Sequence, residues 1–221
     1  MARLLRAAGV AFGYLYEDDL YSGALAHDLG ADEEVAVHAR RVAGILRSHG
    51  VREVVTIDPH TTTMLRTVYP TLVEGYDVRV RSYLEVLAER GLPVDTSLTG
   101  TVVLHDSCVY ARYEGIIEEP RRLLASVGLT VAEPENAGQW TWCCGGPAES
   151  LFPTTAAAVT RKRVDQLRAV APDCVTMCPI CLVNLRKAAN GTMRLRDISD
   201  RLLDAVADRG VPAVAVGTLT L

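Results

Sequence analysis

Cys174-Val-Thr-Met-Cys-Pro-Ile-Cys181 reads as a strand that runs directly into a helix. The β-forming run Cys174–Met177 ends at Cys178, and Pro179 then stands in a first helical turn, where its missing N–H costs nothing. An apolar-periodic stretch follows over Ile180–Ala189. The same arrangement occurs earlier, where Glu53–Ile57 leads into Asp58-Pro59-His60-Thr61. Repeated strand–helix units of this kind predict an α/β protein with parallel pairing. The pattern adds strands at Val10–Leu15, Thr101–Leu104, Leu129–Ala132 and Pro212–Val216, with helices near Arg79–Arg90, Glu118–Ser126, Thr155–Val170 and Ile198–Arg209. Another helix opens on Asp32-Glu33-Glu34, repeats Val35, Ala39, Val42, Ala43 and Leu46 at helical spacing, and stops at Gly50.

The two units are parts of a longer internal repeat. Cys143-Cys144-Gly145 precedes a helix, then the strand Cys174–Met177, then Cys178-Pro179-Ile180-Cys181. Tyr21-Ser22-Gly23 precedes a helix, then the strand Glu53–Ile57, then Asp58-Pro59-His60-Thr61. Thirty-five residues separate Ser22 from Asp58 and thirty-three separate Cys144 from Cys178. Gly and Pro keep register while the four thiol positions of the second copy are Tyr, Ser, Asp and Thr in the first. The expected fold is two Rossmann-like modules with mainly parallel sheets, related by a pseudo-twofold duplication. The boundary falls within Gly91–Gly100, giving halves 1–95 and 96–221, the first shortened at its start.

Bulk properties narrow the function. A net charge of −4, with arginines scattered among acids, offers no electrostatic footprint for nucleic acid. No apolar run approaches the ~18–20 residues of a membrane span, and Met1–Gly9 is too short for a signal peptide, so a cytoplasmic protein is expected. Six cysteines in such a chain point to metal or redox chemistry before a disulfide framework, and all six lie between 108 and 181.

Cys108 follows the strand Thr101–Leu104 and Cys178 follows its own, both at carboxyl ends, where parallel α/β sheets place ligands. A helix start at Cys178–Cys181 would favour thiolate and sulfide charge. Gly145 and Gly146 would let a bulky inorganic group approach the backbone. Three chemistries compete for these thiols. Zinc takes four ligands, and Cys-x-x-Cys is one of its half-sites. An iron–sulfur cluster can receive adjacent thiols on different irons. Thiol–disulfide exchange would use Cys178 and Cys181 and leave the rest unexplained.

Cys108, Cys143-Cys144-Gly145 and Cys178-x-x-Cys181 together resemble the cysteine-rich CCG module. That module occurs in heterodisulfide reductases, in the iron–sulfur subunits of glycolate oxidase and anaerobic glycerol-3-phosphate dehydrogenase, and in lactate-utilisation proteins. His105-Asp106-Ser107-Cys108 is similar to the His-Asp-Pro-Cys opening of these proteins, and Arg112–Gly115 with Glu119–Arg121 is similar to the segment after that opening. The resemblance implies a [4Fe–4S] cluster, non-cubane in some members, held by Cys108, Cys143, Cys144, Cys178 and Cys181. Cys174 does not match the motif and reads as a small buried residue. Residues 9–70 resemble a cysteine-free counterpart, so the first cluster of a two-module protein is missing, as is the ferredoxin-like cysteine run of many members. The implied role is an iron–sulfur subunit of an oxidoreductase that passes electrons between a flavoprotein or ferredoxin-type partner and an acceptor, a disulfide among the candidates. The rival is a non-enzymatic docking subunit with a redox-inert zinc or cluster. A third reading makes the chain a truncated form of a longer two-cluster protein.

Other residues carry paired readings. His105 and Asp106 can deliver protons or simply fix the strand-end loop. Trp140 and Trp142 can shield a cluster or pack in the core. Asp58, Ser22 and His60 can hold a harder metal or mark a vacated, hydrogen-bonded site, and His60–Thr63 forms an N-cap cluster.

Overall fold

The computed structural model describes residues 1–206. Two parallel sheets organise it. In the first, β1 (Glu53–Thr56) pairs with β2 (Arg79–Ser82); in the second, the strand order is β4 (Thr130–Ala132), β3 (Thr101–His105), β5 (Asp173–Thr176), β6 (Arg194–Asp197). The helices are α1 (Ala2–Ala7), α2 (Ala24–Asp28), α3 (Asp32–Ser48), α4 (Pro59–Thr63), α5 (Tyr69–Leu72), α6 (Tyr83–Arg90), α7 (Glu118–Ser126), α8 (Pro153–Arg168), α9 (Pro179–Ala189) and α10 (Ile198–Ala205). Single π-helical turns occupy Met64–Val68 and Tyr110–Glu114.

The alternation of β3 sorts the core into layers, because successive side chains of a strand face opposite sides. Val102 and Leu104 pack on one side with α1, α6, α7 and α10, whereas Val103 packs on the other with Val164, Leu167, Leu185 and Ala189 of α8 and α9. Cys174, which pairs with Val103, lies on the α8 side among these apolar residues. A third cluster fills the first half, where Val35, Ala39, Val42, Ala43 and Leu46 of α3 meet Met64, Tyr69 and Val80. The layer holding Val102 and Leu104 also takes Leu4, Leu84 and Leu87, so α1 and α6 cover one face of the four-stranded sheet.

Several expectations are corrected. Arg79–Arg90, expected as one helix, is a strand and then a helix: Ser82 accepts from the backbone of Leu84 while Glu85 reaches back to the Ser82 N–H, a capping box that starts α6 at Tyr83. Val10–Leu15 forms no strand; it is an extended connection from α1 to a 3₁₀ turn at Tyr16–Asp18, with no strand paired to it among the described residues. Arg194–Asp197 is a strand the sequence reading did not predict, with Leu195 turned into the core. The strand expected at Pro212–Val216 lies outside the described residues.

The topology places a crevice. From β3 the chain passes through α7 to β4 on one flank, and from β5 it passes through α9 to β6 on the other, so the connections diverge at the carboxyl ends of the adjacent strands β3 and β5. Open parallel sheets bind ligands at such a switch point. Cys108 and Cys178 both lie just past these ends.

Candidate metal centre

At the switch point five thiols form one chain of neighbours. Cys143 contacts Cys108 and Cys144, Cys144 contacts Cys181, and Cys181 contacts Cys178. All six cysteines are free thiols, and Cys174 stands apart, its Sγ directed at the Val175 carbonyl at 3.7 Å. Burial pushes the Cys174 thiol up to about 12.

Each thiol is placed by a local device. Cys178 is the N-cap of α9, with Pro179 in the first turn, and its sulfur accepts from the Cys181 backbone N–H. The same device stands in the first half, where Asp58 caps α4 and its Oδ1 accepts from the Thr61 N–H at 2.9 Å. Ser22 and Thr61 hydroxyls meet at 3.2 Å, as Cys144 meets Cys181. The corresponding positions of the first half are thus joined by hydrogen bonds. Gly23 and Gly145 also match, with φ of +81° and +89°. The duplicated plan thus extends to backbone geometry.

The Cys143-Cys144 loop is fixed from both sides. Thr160 donates to the Cys144 carbonyl at 2.8 Å, and the Gly145 N–H donates to the Cys143 sulfur at 3.3 Å. Gly145 and Gly146 serve a different purpose from the one expected: the space of their missing Cβ atoms is filled by Thr160 and Ala156 of α8 and by Ile180 and Asn184 of α9. Before the pair, Thr141 is completely buried and donates to the Asp106 carbonyl at 3.1 Å, while its own carbonyl accepts from Arg112. Asp106 is occupied in fixing loops: it takes both terminal nitrogens of Arg121 at 2.9 Å and the Gly138 N–H at 2.6 Å. Trp140 and Trp142 are exposed, so they are not core residues.

The electrostatics of the thiol chain alternate. Hydrogen bonds from the Cys108 and Cys144 thiols and from the Gly145 N–H hold Cys143 well below the ordinary thiol range. Cys181 and His60 bring Cys178 down to about 5. Donating to Cys143 raises Cys108 and carries Cys144 up to about 12, and Cys181 rises for donating to Cys144 and Cys178. A lowered thiol is thiolate at every pH above its shifted value. In the metal-free protein iodoacetamide should therefore label the partly exposed Cys143 first, with its rate holding between about pH 7 and about pH 5. Cys174 should stay unlabelled until unfolding; peptide mapping reads both, and a Cys143 rate that falls in proportion to hydroxide would contradict the arrangement.

Two neighbours were not given these positions by the sequence reading. His60 reaches from the first half to Cys178, and this contact raises its imidazole pKa despite burial; its Nδ1 lies 3.7 Å from Asp28. Arg163 of α8 is completely buried, with its Nε 3.0 Å from Nδ1 of His105. The signal for it in the sequence is its place on the stripe of Ala156, Thr160, Val164 and Leu167, which the neighbouring Arg161 and Lys162 mask.

The family profile described as the CCG cysteine-rich domain matches residues 102–186, the segment from β3 to α9 that carries all five thiols. Residues 102–186 are a CCG cysteine-rich domain. Among its relatives is the "EtfAB:quinone oxidoreductase" of Syntrophomonas wolfei, 31% identical over 82% of this chain and 27% of that protein. The "Probable iron-sulfur-binding oxidoreductase FadF" of Bacillus subtilis is 29% identical over 93% of this chain and 31% of its own length. One subunit of the "Dihydromethanophenazine:CoB--CoM heterodisulfide reductase" of Methanosarcina mazei is 25% identical over 93% of this chain and 54% of its own length. The chain thus spans about a third or less of the first two and about half of the third. These alignments run well beyond the CCG domain, into the cysteine-free half. No helix among the described residues is long and apolar enough to cross a membrane.

Proposed function

We propose that Cys108, Cys143, Cys144, Cys178 and Cys181 hold one [4Fe–4S] cluster. On this reading the chain is an iron–sulfur electron-transfer subunit of an oxidoreductase, with residues 96–221 as the cluster-bearing module and 1–95 as its cysteine-free counterpart. The observation that carries the reading is the continuous chain of five thiols at one switch point.

The donor set fits such a group. Five soft thiol ligands exceed the four that a zinc ion takes, and adjacent residues such as Cys143 and Cys144 are hard to place on one small ion. Thiolates bring negative charge, which this pocket stabilises through the N-terminus of α9, the Gly145 N–H and the buried Arg163 guanidinium. A bound cluster would supply one-electron chemistry, and the chain's own residues set what surrounds it. Cys108 and Cys143 are partly exposed while Cys144, Cys178 and Cys181 are buried, so an electron partner or a disulfide acceptor would approach from the Cys108–Cys143 side. Relatives named as quinone, heterodisulfide and iron–sulfur-binding oxidoreductases support an electron-transfer role, with a flavoprotein or ferredoxin-type subunit as partner.

Parallel anaerobic reconstitution of Cys144→Ser and Cys174→Ser tests the assignment. The first is expected to lose most of its iron and acid-labile sulfide and the second to keep wild-type content. Equal loss in both, or in neither, would overturn the ligand set.

A further inference from the structure

Behind the thiols lies a cation that no carboxylate contacts directly. The Arg163 side chain is completely buried, and its donors go to neutral acceptors: His105 Nδ1 at 3.0 Å, the Asn136 carbonyl at 3.0 Å, Thr141 Oγ1 at 3.0 Å, and Gln166 Oε1. Among the described residues no carboxylate forms an ion pair with it; the Asp106 carboxylate, which attracts it at longer range, is itself taken by Arg121. A buried charge is costly unless something compensates it, which points to an anion in the adjoining pocket.

His105, the last residue of β3, connects the two. It is completely buried, and its Nε2 finds no hydrogen-bond partner among the described residues. Its ring shares one cluster with the sulfurs of Cys144 and Cys181, the ligand atoms all within 4.8 Å of one another. A neutral imidazole has one N–H. Because Nδ1 accepts from Arg163, that N–H must be on Nε2. A ring whose Nδ1 accepts from a guanidinium carries no second proton there, so the imidazole is neutral.

We infer that Arg163 locks His105 as the Nε2–H tautomer, and that this N–H donates to a sulfur of the thiolate-bound group at Cys144 and Cys181 while Arg163 supplies that group's counter-charge. His105 is thereby a positioning and tuning residue and not a ligand. Ligation through Nε2 would move the proton to Nδ1, where it would face the Arg163 N–H, donor against donor in a buried site. The inference rests on the cluster reading above. A hydrogen bond to sulfur favours the more negative, reduced state, and such bonds are among the settings of cluster potential.

The test uses the full chain, reconstituted anaerobically as wild type, His105→Gln, His105→Phe and Arg163→Gln. Iron and sulfide content comes first: a wild type that takes up neither sinks the cluster reading itself, separately from the roles of His105 and Arg163. At equal content, His105→Phe and Arg163→Gln are expected to lower the one-electron reduction equilibrium about tenfold, or ~59 mV, while His105→Gln, whose amide keeps a donor, recovers part of it. Pulsed EPR on ¹⁵N-histidine wild type should show a weak nitrogen coupling that His105→Gln removes. A strong coupling of a directly bound nitrogen would overturn the inference in favour of ligation. Unchanged potentials, or no coupling from His105, would reduce the pair to a packing role. The wild-type spectrum decides even where a variant fails to fold.

Discussion

Gly145→Ala is expected to strip the protein of most of its capacity for iron and sulfide without removing a single thiol. The glycine sits at φ +89°, a region that costs an L-residue roughly 1–2 kcal/mol. A Cβ there would fall 2.5 Å from Thr160 Oγ1 and 2.7 Å from the Ala156 carbonyl oxygen. The second of these is helix backbone and does not move aside. The loop must instead lift off α8, breaking the Thr160 bond to the Cys144 carbonyl and drawing Cys143 and Cys144 away from Cys108 and Cys181. Gly146→Ala is the comparison: its Cβ would meet the Ile180 Cγ2 methyl at 2.4 Å and the Asn184 Nδ2 at 2.7 Å, side-chain atoms and not helix backbone, and its φ is not in the left-handed region. The expected order of iron content is wild type, then Gly146→Ala, then Gly145→Ala far below, with circular dichroism unchanged. Wild-type content in Gly145→Ala would mean that packing against α8 does not set the thiol pair.

The second large effect concerns the joint between the halves. Glu114, in the π turn after Cys108, is 1% exposed and accepts from Thr63 at 2.6 Å and from Arg66 at 3.0 Å. Arg66 also holds Glu85 at 2.6 Å and the Val80 carbonyl at 2.9 Å. Nearby, Ser82 donates to the Tyr110 hydroxyl at 3.1 Å. The segment that carries Cys108 is thus clamped to the cysteine-free half by an ion pair whose carboxylate is buried and whose guanidinium is partly exposed. Removing one partner of such a pair costs about 3–5 kcal/mol, and the partial exposure of Arg66 favours the lower end. Arg66→Met is therefore expected to destabilise the protein by ~3 kcal/mol in urea unfolding. Arg66→Met with Glu114→Gln should recover part of that, because the buried stranded carboxylate is gone while the losses at Glu85 and the Val80 carbonyl remain. A double variant no better than the single would contradict the account.

How much of this the sequence carried depended on length and charge. Glu118–Ser126 forms a helix with the expected bounds, and the strand–helix joints at Asp58 and Cys178 are as read, because Pro after the cap and an apolar run leave few alternatives. The strands Arg79–Ser82 and Arg194–Asp197 were lost because they span four residues each and spend three of the four on arginine or another polar group. Pattern reading looks for apolar runs, and a short edge-like strand with one buried side chain supplies none. At the site, the five cysteines were legible from spacing and resemblance. Arg163 was not, since Arg161-Lys162-Arg163 looks like a solvated face until α8 is laid against β3. The reach of His60 to Cys178 depends on how the two halves meet, which no local pattern encodes. The tryptophans illustrate the converse: aromatic residues beside a site suggest shielding, yet Trp140 and Trp142 face outward.

The most direct test of the central claim is iron, zinc and acid-labile sulfide analysis of the anaerobically reconstituted chain, with EPR before and after dithionite. About four irons and four sulfides per chain with a redox-dependent signal is the predicted result. Zinc without labile sulfide, and no signal in either state, would contradict it.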